Sequence, residues 1–157
     1  MAANAYVMQL KQSLQFFSRT CSVFQEKDSG YAPTPGQLTV AQQVAHVAQT
    51  IDWFVAGAFN PQGFDLDFAS HHAAVRNVSS LAEAFAWLAR SVDAAAADFG
   101  ARSEADMAAP LPAGPIMGGA PRSAVVGAIC EHTAHHRGSL AVYARLLDYA
   151  PPMPYGD

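Results

Sequence analysis

Two histidines four residues apart, His132 and His136, carry the strongest chemical signal in this chain. Their segment reads Val125, Ile129, His132, His136, Ser139, Tyr143, Leu146 at alternating four- and three-residue steps, the spacing of a bundle seam. The imidazoles therefore take seam positions where a bundle wants Leu or Ile. At i and i+4 on a helix they stand one above the other on one face. One metal ion about 2.0–2.1 Å from a nitrogen of each ring would satisfy both. Left buried without partners, each ring would cost about 1–3 kcal/mol as an unsatisfied polar group. A pair of core histidines hydrogen-bonded to nearby side chains has the same spacing.

A metal site inside a bundle needs ligands from more than one helix. The remaining candidates are His46, His71 and His72. His46 lies about 120° from the centre of its own helix's apolar stripe, at 100° per residue, and Trp53 shares that flank. On helical phase alone His46 reads as a half-exposed histidine. His71 and His72 fall in a polar loop, where they read as solvated groups or as a lid over the site. His135 points about 100° away from His136, which makes it a supporting or surface residue. Other chemistries lack their parts. Glu131 and Asp52 have no second carboxylate at a working spacing, and Ser139 near His136 has no orienting acid. Cys21 lies in an apolar seam, where a thiol is inert packing, and Cys130 faces away from His132. MGGAPRS lacks the lysine and spacing of a phosphate-binding loop.

Four helices position these residues. Val7, Leu10, Leu14, Phe17, Cys21 and Phe24 predict a first helix over residues 5–27, and Val40, Val44, Val47, Ile51 and Phe54 a second over 38–58, with Thr39 as a candidate N-cap. SLAE places Glu83 three residues after Ser80, a capping-box spacing, and opens a third helix over 79–99 that Gly100 would stop. The fourth spans 121–149. The connection from about 59 to 78 exceeds ordinary loop length, which predicts a crossover bordering the mouth of the site. The expected fold is all-α, a single four-helix bundle over 1–157 with a long crossover loop between helices 2 and 3.

Composition narrows the function classes. The 157 residues are 51 % hydrophobic and 14 % charged, apolar enough for a core and dispersed at helical spacing. No run reaches the roughly 18 apolar residues of a membrane span, and the first twenty residues are broken by polar positions. The expected location is the cytoplasm, consistent with two distant cysteines outside any metal knuckle or disulfide framework. A formal charge of −4 without a basic stripe argues against nucleic-acid binding.

LTVAQQVAHVAQTIDWF (38–54), HTAHHRGSLAVYARLL (132–147) and the PPMPYG tail (151–156) together resemble the DinB/YfiT-like family of four-helix-bundle metalloproteins. The resemblance covers nearly the whole chain, and HxxHHRG is its most specific part. It implies that His46 joins His132 and His136 as a ligand of one divalent metal. It also makes His135, Ser139, Trp53 and Tyr143 candidates for supporting the ligands. Ser139 stands where family members commonly have Gln.

Three imidazoles leave a four-coordinate metal one open position. Such a position can hold water or a thiolate, and Zn or Ni suits the donor set. The resemblance implies a metal-dependent enzyme, either a transferase or isomerase using a low-molecular-weight thiol such as bacillithiol or mycothiol, or a hydrolase using metal-bound water. It further implies a small-molecule substrate and a homodimer. A bundle that binds a metal or small ligand without catalysis is the alternative.

Overall fold

The computed structural model describes residues 2–156, with side chains from Ala5 onward. Its elements are α1 (Ala2–Cys21), α2 (Val40–Phe59), α3 (Phe68–Arg76), α4 (Leu81–Ala101), α5 (Glu104–Ala108) and α6 (Ala124–Leu146). A single 3-10 turn, Glu26–Asp28, precedes α2. No strand forms among the described residues; one isolated bridge pairs Pro110 with Pro121. The fold is all-α, as the periodicities predict.

Two of the long helices, α2 and α4, start where side chains replace missing backbone partners. Thr39 opens α2 with a full capping box: its hydroxyl accepts from Gln42 N, and the Gln42 side chain accepts from Thr39 N. Ser80 opens α4 by accepting from Glu83 N at 3.2 Å. Leu81 N, the next orphan donor of α4, is taken by Ser29 Oγ at 2.9 Å. This ties the start of α4 to the turn that leads into α2.

Four long helices form a ring in which α1 packs on α4 and α6, and α2 packs on the same two. Their directions follow from what meets at each end. The Phe59 and Phe99 rings, late in α2 and α4, lie 6.2 Å apart, and the starts of both helices meet at Ser29, which also accepts Ala41 N at 3.1 Å through its carbonyl. So α2 and α4 run the same way. Gly100, near the end of α4, meets Val7 of α1, so those two oppose. Tyr143 of α6 reaches Leu38 O just before α2 at 3.1 Å, so α6 opposes α2. Parallel neighbours need a returning connection. A helix of 20 residues is about 30 Å long, and the chain covers that distance between Phe59 and Leu81. It does so as a crossover with α3 laid against α2.

Several boundaries differ from the periodicity. The first helix ends at Cys21, short of residue 27. Phe24 still buries, to 8 % exposure, from the turn that follows, so the apolar spacing runs on after the helix has stopped. Asp28 holds that turn by accepting Gln25 N at 2.8 Å. Gly100 lies inside α4, which ends at Ala101. The residues after Asp67 are helical: its carboxylate caps α3 by accepting Ser70 N at 3.1 Å, which places His71 and His72 on a helix and not in a loop. The last helix is shorter at both ends than 121–149. Its buried stripe passes through Val126, Thr133, Leu140 and Ala144 as well as Ile129, His136 and Tyr143. Leu146, counted in the seam, is 56 % exposed.

Candidate metal centre

The antiparallel packing of α2 against α6 brings His46 to the two histidines of the last helix. The His46 ring lies 4.9 Å from both the His132 and His136 rings, centroid to centroid, and His132 and His136 are 4.4 Å apart. One nitrogen of each ring falls within 4.8 Å of the others. His132 Nε2 and His136 Nε2 are 3.2 Å apart. Two nitrogens bound to one tetrahedral metal at about 2.0–2.1 Å would stand about 3.3–3.4 Å from each other. The pair is thus already at ligand spacing, on side chains whose positions are set by helix geometry.

A buried hydrogen-bond chain fixes which nitrogen is free. Gln43, one turn before His46, directs its Oε1 at His136 Nδ1. An amide carbonyl can only accept, so Nδ1 carries the proton and Nε2 keeps its lone pair. The Gln43 amide nitrogen donates to the Tyr143 hydroxyl at 3.3 Å. That hydroxyl is in reach of Gln37 Oε1 at 3.0 Å and Leu38 O at 3.1 Å. Every bond in the chain points the same way, away from His136. Such an outer partner holds a ligand's tautomer and ring plane. Gln43 was not singled out from sequence, although a signal exists. It falls on the apolar stripe of α2 beside Val40, Val44 and Val47 and is buried to 7 % exposure.

The surroundings keep all three rings neutral. Desolvation lowers the pKa of His46, with smaller contributions from His72 and His135. Burial and then the neighbouring imidazoles push His132 down to about 4 and His136 to about 3. Neutral imidazole is the form that binds metal. Three convergent neutral donors are compatible with a divalent metal ion.

The other candidates are distributed around this centre. Tyr143 accepts from the Gln43 amide, whose oxygen meets His136. His135 is exposed and sets its ring edge-on to His136 at 4.9 Å, on the outer side of α6. Ser139 is turned back on its own helix, donating to His135 O at 3.3 Å. The amide that reaches His136 comes instead from Gln43 on α2. Trp53 donates from Nε1 to Asp65 O at 2.7 Å and thereby pins the start of the crossover to α2. Gly57 permits the same closure, since a Cβ there would lie 2.2 Å from the Phe64 ring.

Between α2 and α3 opens a cavity of about 560 Å³ with His46 and His132 in its wall. Trp53, Phe54 and Phe68 supply its aromatic faces, and His71 and His72 line it from α3. The crossover therefore borders the histidine cluster, and α3 is the element that does so. His71 Nε2 lies 3.3 Å from Asp65 Oδ2. His72 Nε2 accepts from Arg76 Nε at 3.4 Å.

Residues 9–140 match the family model described as the DinB superfamily. The chain belongs to the DinB superfamily. The match takes in α2, the crossover and most of α6, with all three convergent histidines inside it. No curated protein matches this DinB chain.

Proposed function

We propose that His46, His132 and His136 hold one divalent metal ion, Zn or Ni, and that the protein is a metal-dependent enzyme acting on a small molecule in the adjoining cavity. The observation that carries this reading is the 3.2 Å approach of two Nε2 atoms beside a third imidazole, with the far nitrogen of His136 already committed to Gln43. With Nδ1 of His136 donating to Gln43, its Nε2 lone pair faces the other two rings, where a metal can take it.

The metal would supply Lewis-acid activation of a bound nucleophile, either water or the thiolate of a low-molecular-weight thiol. The chain's own residues do the rest. Gln43 and Tyr143 orient His136. Trp53, Phe54 and Phe68 exclude water from the approach to His46 and His132. His71, beside Asp65, presents an imidazole on the α3 wall where a proton can be taken up or delivered. Transfer of a thiol to an electrophile and hydrolysis both fit this arrangement. Among the described residues no helix is long and apolar enough to cross a membrane. Two free cysteines, one buried and one half-buried, suit a reducing cytoplasm.

Metal uptake tests the reading. Protein stripped with chelator and refilled with Zn, Ni or Co should carry one ion per chain, and the cobalt form should show the strong visible absorption of a four-coordinate site. Uptake near zero with all three ions would overturn it.

A further inference from the structure

We propose that the cavity beside the histidine cluster takes an uncharged molecule with an aromatic or branched apolar body and a single metal-binding donor, and that it discriminates against thiols carrying several carboxylates. This rests on the metal reading above and names the class of molecule it serves.

The cavity wall decides the class. Its surface is almost entirely carbon, from Trp53, Phe54, Phe68 and the edges of the imidazoles. The Trp53 ring packs 5.0 Å from Phe54 and 6.0 Å from Phe68, so the aromatic faces form one continuous surface. Phe68 opens α3 and leaves 54 % of its surface uncovered, an exposure that an apolar ligand would reduce. At about 560 Å³ the space suits a small organic molecule.

Charge points the same way. Among the described residues no Lys, Arg, Asp or Glu lines the cavity. Arg76 stands behind His72, and its guanidinium is spent on the carbonyls of Gly36 at 2.6 Å and Gln37 at 3.1 Å. On the other side Asp65 stands 3.3 Å from His71. Apart from the metal itself, a polyanion entering here would lose hydration with no Lys or Arg in the wall to replace it. Only the atom that reaches the metal can carry charge at low cost. Thiols decorated with carboxylates are the poorer fit, and an aryl or alkyl thiol or a neutral acyl compound the better one.

The test is titration of cobalt-loaded protein with 2-phenylethanethiol and with mercaptosuccinate, followed by calorimetry and by tryptophan fluorescence in the Trp87→Phe background. We expect the phenyl thiol to bind at least tenfold tighter and to quench Trp53. Phe68→Asp should cost the phenyl thiol at least fivefold in affinity at unchanged cobalt content. Phe68→Lys should improve mercaptosuccinate. Equal or tighter binding of mercaptosuccinate by the unmodified wall, or phenyl-thiol binding that leaves Trp53 unquenched, would overturn the proposal. Failure to load cobalt would instead overturn the metal reading. The cavity is then tested on metal-free protein with 2-phenylethanol, where quenching of Trp53 supports the apolar site and its absence refutes it.

Discussion

The two halves of the bundle are built from different materials. Where α1 meets α4, the buried contacts are mainly hydrocarbon: Leu14 of α1 faces Phe85, Leu88 and Val92 of α4 around a shallow hollow rimmed by Lys11, Gln15, Ser18 and Asp93, and Phe17 is fully buried. Where α2 meets α6, the interior holds Gln43, His46, His132, His136 and Tyr143, linked by hydrogen bonds or by close ring contacts. The first half supplies stability through transfer of apolar surface from water. The second has given up part of that gain for directed polar groups, which hold only while every partner is present. Fold and chemistry are thus separable to a large degree, and mutations should sort accordingly.

Phe17→Ala should show the largest effect on folding, about 3–5 kcal/mol, because it empties a fully buried site in the hydrocarbon half. Denaturant unfolding measures it, and metal bound per folded chain should be unchanged. His136→Ala reverses the pattern. Metal content should fall close to zero, and the thermal upshift that added metal gives the parent protein, equivalent to about 2.7 kcal/mol at a hundredfold excess over Kd, should vanish. Equal metal loss in both variants would erase the distinction between the halves.

Gln43→Leu probes the coupling inside the polar half. Leu keeps the volume but leaves His136 Nδ1–H and the Tyr143 hydroxyl without the amide between them. Metal affinity should drop about 10–100-fold, the usual consequence of losing an outer partner. Competition with a chromogenic chelator reads this directly. A loss below threefold would show that α6 alone sets the ring.

Gln43 also marks how far the sequence could be read. His132 and His136 announced themselves because they interrupt an apolar repeat on one helix, which is local information. His46 did not, since its helical phase describes α2 alone and cannot say that α6 lies along that flank. Only the family resemblance supplied it. Gln43 was legible as a polar residue on an apolar stripe, but its meaning depends on a contact across 93 positions of sequence. The crossover followed from loop length; the helix within it did not, because α3 is short, capped by Asp67 and anchored mainly by Val75, its one buried residue. Helix ends were overrun wherever buried residues such as Phe24 continue past the last turn.

Acid should weaken the metal-free protein through the polar half. In the unfolded chain each histidine takes a proton near pH 6.5, whereas burial and neighbouring rings hold folded His132 and His136 to about 4 and 3. Between those limits the unfolded state binds more protons, so stability rises with pH across the window and is lost as pH falls from about 6.5 toward 4. Urea titrations of metal-free protein at pH 7, 6 and 5 should show falling midpoints. His132→Ala should flatten that dependence, and an unchanged slope would mean the rings are more solvated than their packing indicates.

His135→Ala should have the smallest effect. The residue is exposed, and its ring touches His136 only edge-on from outside the cluster. Replacing it removes no buried contact, so stability should move by less than about 0.5 kcal/mol, and metal content should stay at the parent value. One trace of its presence should remain. When charged it opposes protonation of all three inner rings. Its removal should therefore let them protonate slightly more readily, bring their folded pKa values nearer the unfolded value, and make the acid destabilisation of metal-free protein marginally smaller. Low salt is the condition in which to look, because an exposed charge is screened over about 10 Å at 0.1 M. If His135→Ala instead sheds the metal, the ligand face of α6 is turned by about 100° from the one assigned here, and the division between hydrocarbon and polar halves fails with it.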